Sequence, residues 1–185
     1  CMKPRLANQP LWRGFCLIAL AFACGVTALA QSKQEREYAM KAGFLFNFFS
    51  YVDWPAEKNQ NPSEFMIGVV GDNPSASAIE ALKGKVVKGR RIEVKQVNDM
   101  SALSGCHLVF VTAAGQNRLR EILEQTKDKP TLTVGEMDGF IQSGGVINLV
   151  PAHNRIQIEI NPSAAERAGL TISSQLLRLA QIVRG

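Results

Sequence analysis

The stretch REYAMKAGFLFNFFSYVDWP, residues 36–55, decides the fold because it is apolar around most of a helix. At helical spacing it carries one apolar stripe of Tyr38, Ala42, Leu45, Phe46, Phe49 and Val52, and a second of Met40, Phe44, Phe48 and Tyr51. The polar seam between them contains only Arg36, Gly43, Asn47 and Ser50. Such a helix is either buried in a core or docked on a partner. Trp54-Pro55 ends it, because the residue before a proline avoids helical backbone angles.

Beyond this helix, apolar runs alternate with helical patterns. The predicted strands are 65–70, 91–97, 108–112 and 131–134, and the predicted helices are 76–82, closed by Gly84, and 117–126, with Leu119, Ile122 and Leu123 inward. In the strand 91–97 the residues Ile92, Val94 and Val97 are expected on one side. Buried strands separated by helices predict a mostly parallel sheet with helices on both faces.

The last third of the chain has a different pattern. Strands are predicted over 146–150 and 155–160, joined by a hairpin turn at 151–154. In the second strand Ile156, Ile158 and Ile160 point one way, and Gln157 and Glu159 the other. The predicted fold is therefore an α/β sandwich: a mixed, mostly parallel sheet with helices on both faces and a C-terminal antiparallel hairpin.

Two helices are predicted after this hairpin. The first begins at Asn161-Pro162-Ser163, where proline suits the first turn, and ends at Gly169. The second starts at a cap on Ser173 or Ser174 and runs to Arg184. Its predicted inner stripe is Ile172, Leu176, Leu179, Ala180 and Val183.

The first thirty residues predict a cleaved secretory signal peptide. Lys3, Arg5 and Arg13 precede a short apolar run over 14–26, and Ala28-Leu29-Ala30 supplies a cleavage pattern. We therefore expect export to the periplasm with cleavage after Ala30, and one domain over residues 31–185. Cys24 offers a lipid-anchoring alternative, although the residues before it lack the usual leucine and include a bulky Phe22.

Cys106 is the one cysteine after residue 30, so no internal disulfide is predicted in an oxidising compartment. Its place at the start of the run CHLVFV favours a buried small side chain over a reactive thiol.

The charge pattern gives no sign of nucleic-acid binding. The chain carries a formal net charge of +5, and residues 31–185, with 18 basic and 16 acidic residues, carry +2. The basic run 83–91, KGKVVKGRR, contains no aromatic residue. It is expected to be solvated charge in a loop and strand start.

No catalytic, cofactor or metal-binding set is predicted. His107 and His153 are 46 positions apart, without a metal-ligand spacing. The turn 71–74 after a strand could be a phosphate-binding turn or a plain turn, but GxGxxG and GxxxxGK[ST] are absent. Glu136 and Asp138 are expected in a solvated turn. Ser143-Gly144-Gly145 lacks the GxSxG pattern of a nucleophile elbow. Binding is therefore the leading class of function.

The motifs KAGFLFNFFSYVDWP, IGVVGDNP, KGRRIEV, CHLVFV, GFIQSGGVINLV and IQIEINPSAAERAGLTISSQLLRLAQIV follow one another over roughly residues 38–183. With them the chain resembles the YfiR/HmsC-like family of exported bacterial proteins. The resemblance implies a periplasmic negative regulator, not an enzyme, that binds the periplasmic sensor domain of an inner-membrane diguanylate cyclase. Repression of the cyclase would lower cyclic-di-GMP and biofilm formation. An OmpA-like outer-membrane lipoprotein sequesters the repressor in some such systems. The sequence also leaves a homodimer open.

Matched motif by motif, the resemblance assigns partner binding to Ile147 in GGVINL, Glu159 in IEIN and Ala165 in the following helix. Strand parity agrees that Glu159 points away from the isoleucines, and an ordinary exposed carboxylate is the alternative. The other motif residues are expected to be structural: Lys41, Phe44, Asn47, Trp54, Pro55, Gly144, Gly145 and Asn161.

The cysteines depart from the family pattern. The resemblance implies two disulfides tied to redox state, but Gly68 stands at the position matching the partner of Cys106, and Ile141 and Asn148 replace the second pair. Redox control through disulfides is therefore not expected.

Two other classes of function remain as alternatives. A small-molecule binding module would use a cleft at the strand ends near residues 71–74. A hydrolase ranks third, because no nucleophile and base are spaced for it.

Overall fold

The computed structural model describes residues 33–55, 63–72, 76–152 and 155–183. Outside these ranges lie the predicted signal peptide, the lipid-anchoring alternative at Cys24, the second half of the turn 71–74, and His153. The chain divides into two compact units, Cys1–Arg36 and Glu37–Gly185, and the fold below is that of the second. Among the described residues no helix has the length and apolar character needed to cross a membrane.

Helix α1 spans residues 33–51 and is buried much as its two stripes predict. Leu45, Phe48 and Phe49 are fully buried, and each contributes roughly 1.5–3 kcal/mol of hydrophobic stabilisation. The seam of Arg36, Gly43, Asn47 and Ser50 is exposed, as predicted.

The helix ends at Tyr51, before the predicted Trp54-Pro55 boundary. Val52–Asp53 instead forms strand β1, which pairs antiparallel with β9, Thr171–Ile172. The backbone of these residues therefore finds its hydrogen bonds in a two-stranded ribbon.

The main sheet has eight strands in the order β10-β8-β7-β6-β5-β2-β4-β3. Their bounds are Glu64–Val70 (β2), Val86–Val87 (β3), Arg90–Gln96 (β4), Leu108–Val111 (β5), Leu132–Gly135 (β6), Ile147–Ala152 (β7), Arg155–Ile160 (β8) and Gln181–Ile182 (β10). Strands β4, β2, β5, β6 and β7 are parallel neighbours, whereas β7–β8 and β3–β4 are antiparallel. The predicted mixed, mostly parallel sheet with a C-terminal antiparallel pair is confirmed.

Apolar clusters cover both faces of this sheet. One cluster joins α1 to α2 (Ala76–Glu80), α4 (Pro162–Arg167) and α5 (Ser174–Leu179). The other joins α3 (Leu119–Thr126) to a 3-10 helix over Met100–Gly105 and to the turn that contains Phe140 and Ile141. A second 3-10 helix, Ala113–Arg118, leads into α3.

Three further details of the predicted elements are wrong. Val97 follows the end of β4 and packs in the cluster opposite to that of Ile92 and Val94, since its position has the other strand parity. The predicted turn 151–154 is wrong in its first half, because Pro151 and Ala152 belong to β7.

The third error concerns the last helix. Ser173 caps it, as one of the two predicted candidates. It stops at Leu179, however, because Ala180 is extended and Gln181–Ile182 pairs with β8 in parallel. Leu179, predicted to face inward, is consequently 72% exposed.

Candidate partner-binding surface

Strands β7 and β8 divide their side chains cleanly between the two faces of the sheet. Ile147 pairs with Ile160 and Leu149 with Ile158, and all four are buried in the larger core cluster. The alternate positions point to the opposite face, together with the cross-strand neighbour on β10. This outer face consists of Asn148, Val150, Gln157, Glu159 and Gln181.

All residues of the outer face except Asn148 are accessible to solvent. Val150, Gln157 and Glu159 are partly exposed, and Gln181 is exposed. The side-chain amide of Gln157 donates a hydrogen bond to that of Gln181. The face is thus a polar surface ordered by its own side chains, on strands fixed by the core beneath them.

Glu159 is held in place by a buried asparagine. Asn148, 2% exposed, donates from Nδ2 to Glu159 Oε2 at 3.1 Å. Asn148 is itself fixed, because it also donates to the Met137 carbonyl at 3.0 Å and accepts from the Met137 amide at 3.2 Å. Oε1 of Glu159 accepts no hydrogen bond from any residue within the described ranges. The carboxylate therefore has a fixed direction and a free oxygen.

The other two predicted partner-binding residues lie below the surface. Ile147 is 0% exposed and Ala165 is 2% exposed, and both belong to the core cluster that underlies the outer face. The parity of β7 and β8 could have shown this for Ile147, since it pairs with inward-pointing Ile160. A direct contact of these two residues with a partner stays a prediction, and Glu159 alone of the three is presented to solvent.

The buried lysine of the N-terminal motif belongs to a charge network. Lys41, 3% exposed, donates to Glu37 Oε1 at 2.5 Å and to Glu136 Oε2 at 2.6 Å. The side chain of Glu136 is only 2% exposed, so its expected place in a solvated turn is wrong. Asp138, two positions later in the sequence, is exposed as predicted.

Two further donors complete the shell of Glu136. Its Oε1 accepts from the Tyr38 hydroxyl at 2.8 Å and from the Ala113 amide at 2.9 Å. Burial, and then the charge of Glu136, hold the pKa of Tyr38 well above its usual value. The network fastens α1 to the ends of strands β5 and β6. Its polar groups are satisfied within the protein, so we assign it a structural role.

The remaining motif residues have local structural roles. Trp54 Nε1 donates to the His107 carbonyl at 3.1 Å, and Asn161 accepts from the Ala164 amide as the cap of α4. Gly144 has φ +103°, and a side chain on Gly145 would collide with the ring of Phe140. Phe44 stacks on Phe48 with ring centroids 6.4 Å apart, Pro55 is partly buried, and Asn47 is exposed.

Cys106 forms no disulfide with any described residue, and it is 0% exposed, as its sequence context predicts. A Cβ placed on Gly68 would lie 2.6 Å from its sulfur atom, so positions 68 and 106 are direct neighbours. The glycine supplies no second sulfur atom, and the pair cannot form a disulfide.

The carboxyl ends of the parallel strands are where α/β proteins commonly bind ligands, at the point where the strand order reverses. Here this point lies between β2 and β5. A side chain on Gly71 would collide with Gly115 and Thr112, and Thr112 Oγ1 donates to the Val70 and Asp72 carbonyls at 3.2 and 3.1 Å. The described residues therefore pack this crevice closed.

A cavity of about 240 Å³ lies elsewhere, at the opposite ends of the strands. Its lining includes Thr133, Gly144 and Arg167. The volume is below the roughly 300–1,000 Å³ of pockets that enclose drug-sized ligands. The described residues also contain no group of three or more His, Cys, Asp or Glu side chains that could hold a metal ion.

The chain belongs to the YfiR/HmsC-like family, whose model matches residues 38–181. Membership of this family supports a role as a periplasmic regulator in the family sense, because YfiR-like proteins are regulators rather than enzymes. No curated protein matches the chain.

Two solved structures are similar to part of the chain. One is an ABC domain in complex with L-Trp from Streptococcus pneumonia, at 11% identity and a TM-score of 0.47 over 64% of this chain. The other is a conserved domain protein from Vibrio cholerae, at 12% identity and a TM-score of 0.49 over 78% of this chain. The chain spans 55% and 59% of the lengths of those two proteins. At such TM-scores neither similarity supports a functional inference.

Proposed function

We propose that this member of the YfiR/HmsC-like family represses an inner-membrane diguanylate cyclase by binding the cyclase's periplasmic sensor domain. The mechanism is stoichiometric docking, with no bond made or broken. Repression keeps cyclic-di-GMP, and with it biofilm formation, low. The match of the family model over residues 38–181 carries the proposal.

The outer face supplies the docking surface. Its backbone is fixed by hydrogen bonds to strands on both sides of β8, so little conformational entropy is lost on binding. Glu159 presents a carboxylate of fixed direction, and a charge of this kind gives specificity and register more than raw affinity. Ile147 and Ala165 act through the packing of the strand and helix beneath the face. An OmpA-like lipoprotein that sequesters the repressor would compete for the same face.

Deletion of the gene tests the pathway. We expect cyclic-di-GMP to rise in a strain that expresses the partner cyclase, and the rise to disappear when the catalytic motif of that cyclase is inactivated. An unchanged cyclic-di-GMP level in the deletion strain would contradict the proposal. Complementation with the wild-type gene controls for effects on neighbouring genes.

The small-molecule alternative has less support, because the crevice at residues 71–72 is packed closed and the cavity is small. A thermal-shift screen separates the two functions, since a ligand that binds only the folded state raises the melting temperature. A large shift with a metabolite, together with no binding to the sensor domain, would favour the alternative.

A further inference from the structure

The hairpin at the far edge of the sheet has a tight two-residue turn. Strands β3 and β4 are joined by Lys88-Gly89, which have φ values of +50° and +74°. Two successive positive φ angles are typical of the type I′ turn that suits a two-residue hairpin. Strand β3 is the last strand of the sheet, so one side of the hairpin has no neighbour among the described strands.

This hairpin concentrates positive charge. Residues 83–93 contain five basic residues and one acidic residue, a net +4, whereas residues 31–185 together carry only +2. Arg90 is turned onto the Phe65 ring, so the other four basic side chains form the charged surface. Lys83 lies 3.7 Å from Glu93, and Lys88 donates to Asp53 at 2.6 Å. Lys85 and Arg91 are exposed and form no ion pair with any residue that the structure describes. Elsewhere in residues 31–185 the acidic residues balance the basic ones, so this edge is a distinct basic patch.

An apolar side chain lies within this patch. Val86 is 59% exposed and pairs directly with Arg91, so both side chains lie on the same face of the hairpin. Its neighbour Val87 points to the other face and is buried in the core. Packing in the core therefore accounts for an apolar side chain at Val87. Val86 has no such packing and is exposed to solvent among basic side chains.

We infer that this basic edge, defined as Lys83, Lys85, Val86, Lys88 and Arg91, docks the protein on an anionic lipid bilayer. Basic residues near an anionic membrane surface each strengthen binding, and an exposed apolar side chain among them can enter the headgroup layer. A nucleic acid would call for aromatic stacking groups, which the run 83–93 lacks. A strand of only two residues also offers little backbone for pairing with a partner strand.

The position of the basic edge fits a protein that works beside a membrane. Six strand-to-strand steps separate β3 from β8, which carries Glu159. At about 4.8 Å for each step, the two surfaces lie roughly 29 Å apart across the sheet. With the basic edge on lipid, the outer face stands clear of the bilayer, where the extramembrane domain of a membrane protein can reach it.

Vesicle co-sedimentation tests the inference directly. The full chain is expressed, purified in the form that the cell produces, and mixed with vesicles of phosphatidylglycerol and phosphatidylethanolamine or of phosphatidylcholine alone. We expect binding to the anionic vesicles only, and weaker binding as salt is added. The double variant Lys85→Gln/Arg91→Gln should bind roughly 30-fold more weakly, since each cation near the surface is worth roughly fivefold.

A matched variant removes equal charge elsewhere. Arg120→Gln/Lys129→Gln neutralises two exposed basic residues on and after α3 and should keep nearly full binding. Val86→Thr keeps the shape of the side chain and should weaken binding several-fold. The inference is overturned if the wild-type protein does not bind anionic vesicles, or if both double variants lose binding equally. Binding to a sulfated polysaccharide, but not to vesicles, would also overturn it.

Discussion

Two glutamates at strand ends of one sheet show how similar side chains serve different purposes. Glu136 has a side chain that is 2% exposed and accepts from Lys41, Tyr38 and the Ala113 amide. Glu159 is partly exposed and accepts only from Asn148 among the described residues. The first is satisfied within the protein and stabilises the fold. The second keeps an oxygen for a partner, so its loss should affect binding rather than folding.

Lys41→Met should produce the largest loss of stability. The substitution leaves Glu136 buried without its cationic partner, and breaking such a pair costs about 3 kcal/mol or more. The melting temperature should fall by about 10 °C for a chain of this size. Thermal unfolding followed by circular dichroism measures it.

The double variant Lys41→Met/Glu136→Gln is the control for this prediction. It removes the buried negative charge of Glu136 that Lys41 would otherwise pair with, so it should regain a large part of the lost stability. A single variant within about 1 kcal/mol of wild type would show that the network does not hold α1 in place.

Asn148 lies between the two regions, because it bonds both to Glu159 and to the backbone of Met137, the residue after Glu136. Asn148→Leu should therefore have an intermediate effect. It leaves the Met137 amide and carbonyl without their side-chain partner, which costs about 2 kcal/mol. It also frees Glu159 from its fixed direction, so we expect weaker partner binding in a protein that is still folded. Urea unfolding and a binding isotherm measure the two effects separately. Unchanged binding would mean that Glu159 needs no positioning by Asn148.

Tyr38→Phe should cost the least, about 1 kcal/mol near neutral pH for one lost hydrogen bond. It should also change the response to alkali. The pKa of Tyr38 is raised in the folded state by burial and by Glu136, so the folded protein keeps a proton that the unfolded chain releases above about pH 10. That stabilisation is present below about pH 10 and is lost as the pH rises further.

Urea unfolding between about pH 9 and pH 11 tests this response, because the free energy of unfolding should fall less steeply in the Phe variant than in wild type. Identical slopes would contradict the assignment of Tyr38 to the network. Glu159→Gln changes the outer face and not the network of Tyr38 and Glu136. It should leave the slope unchanged, and it serves as the control.

The sequence pattern predicted the features that depend on local periodicity. The burial of α1 follows from its two apolar stripes, and the outward direction of Glu159 follows from the alternation along β8. The cap at Asn161 follows from residue type and the proline after it.

The errors arose where distant parts of the chain meet. Lys41 and Glu136 are 95 positions apart, so no local pattern could place either one in a buried pair. Strand β10 has only two residues, too few to show a strand period, and the apolar spacing around it also fits a helix. Arg90, expected in a solvated run, stacks 3.8 Å from the centre of the Phe65 ring, a contact made only when β2 and β4 pair.

The most direct test of the account is the affinity of the purified protein for the isolated periplasmic sensor domain of its cyclase, compared between Glu159→Lys and Glu80→Lys. Both variants make the same charge change at solvent-accessible positions, Glu159 on the outer face and Glu80 on α2. The account predicts at least a tenfold loss of affinity, about 1.4 kcal/mol, for Glu159→Lys alone, with both melting temperatures close to wild type. Equal affinities for the two variants, or an unfolded Glu159→Lys protein, would contradict it.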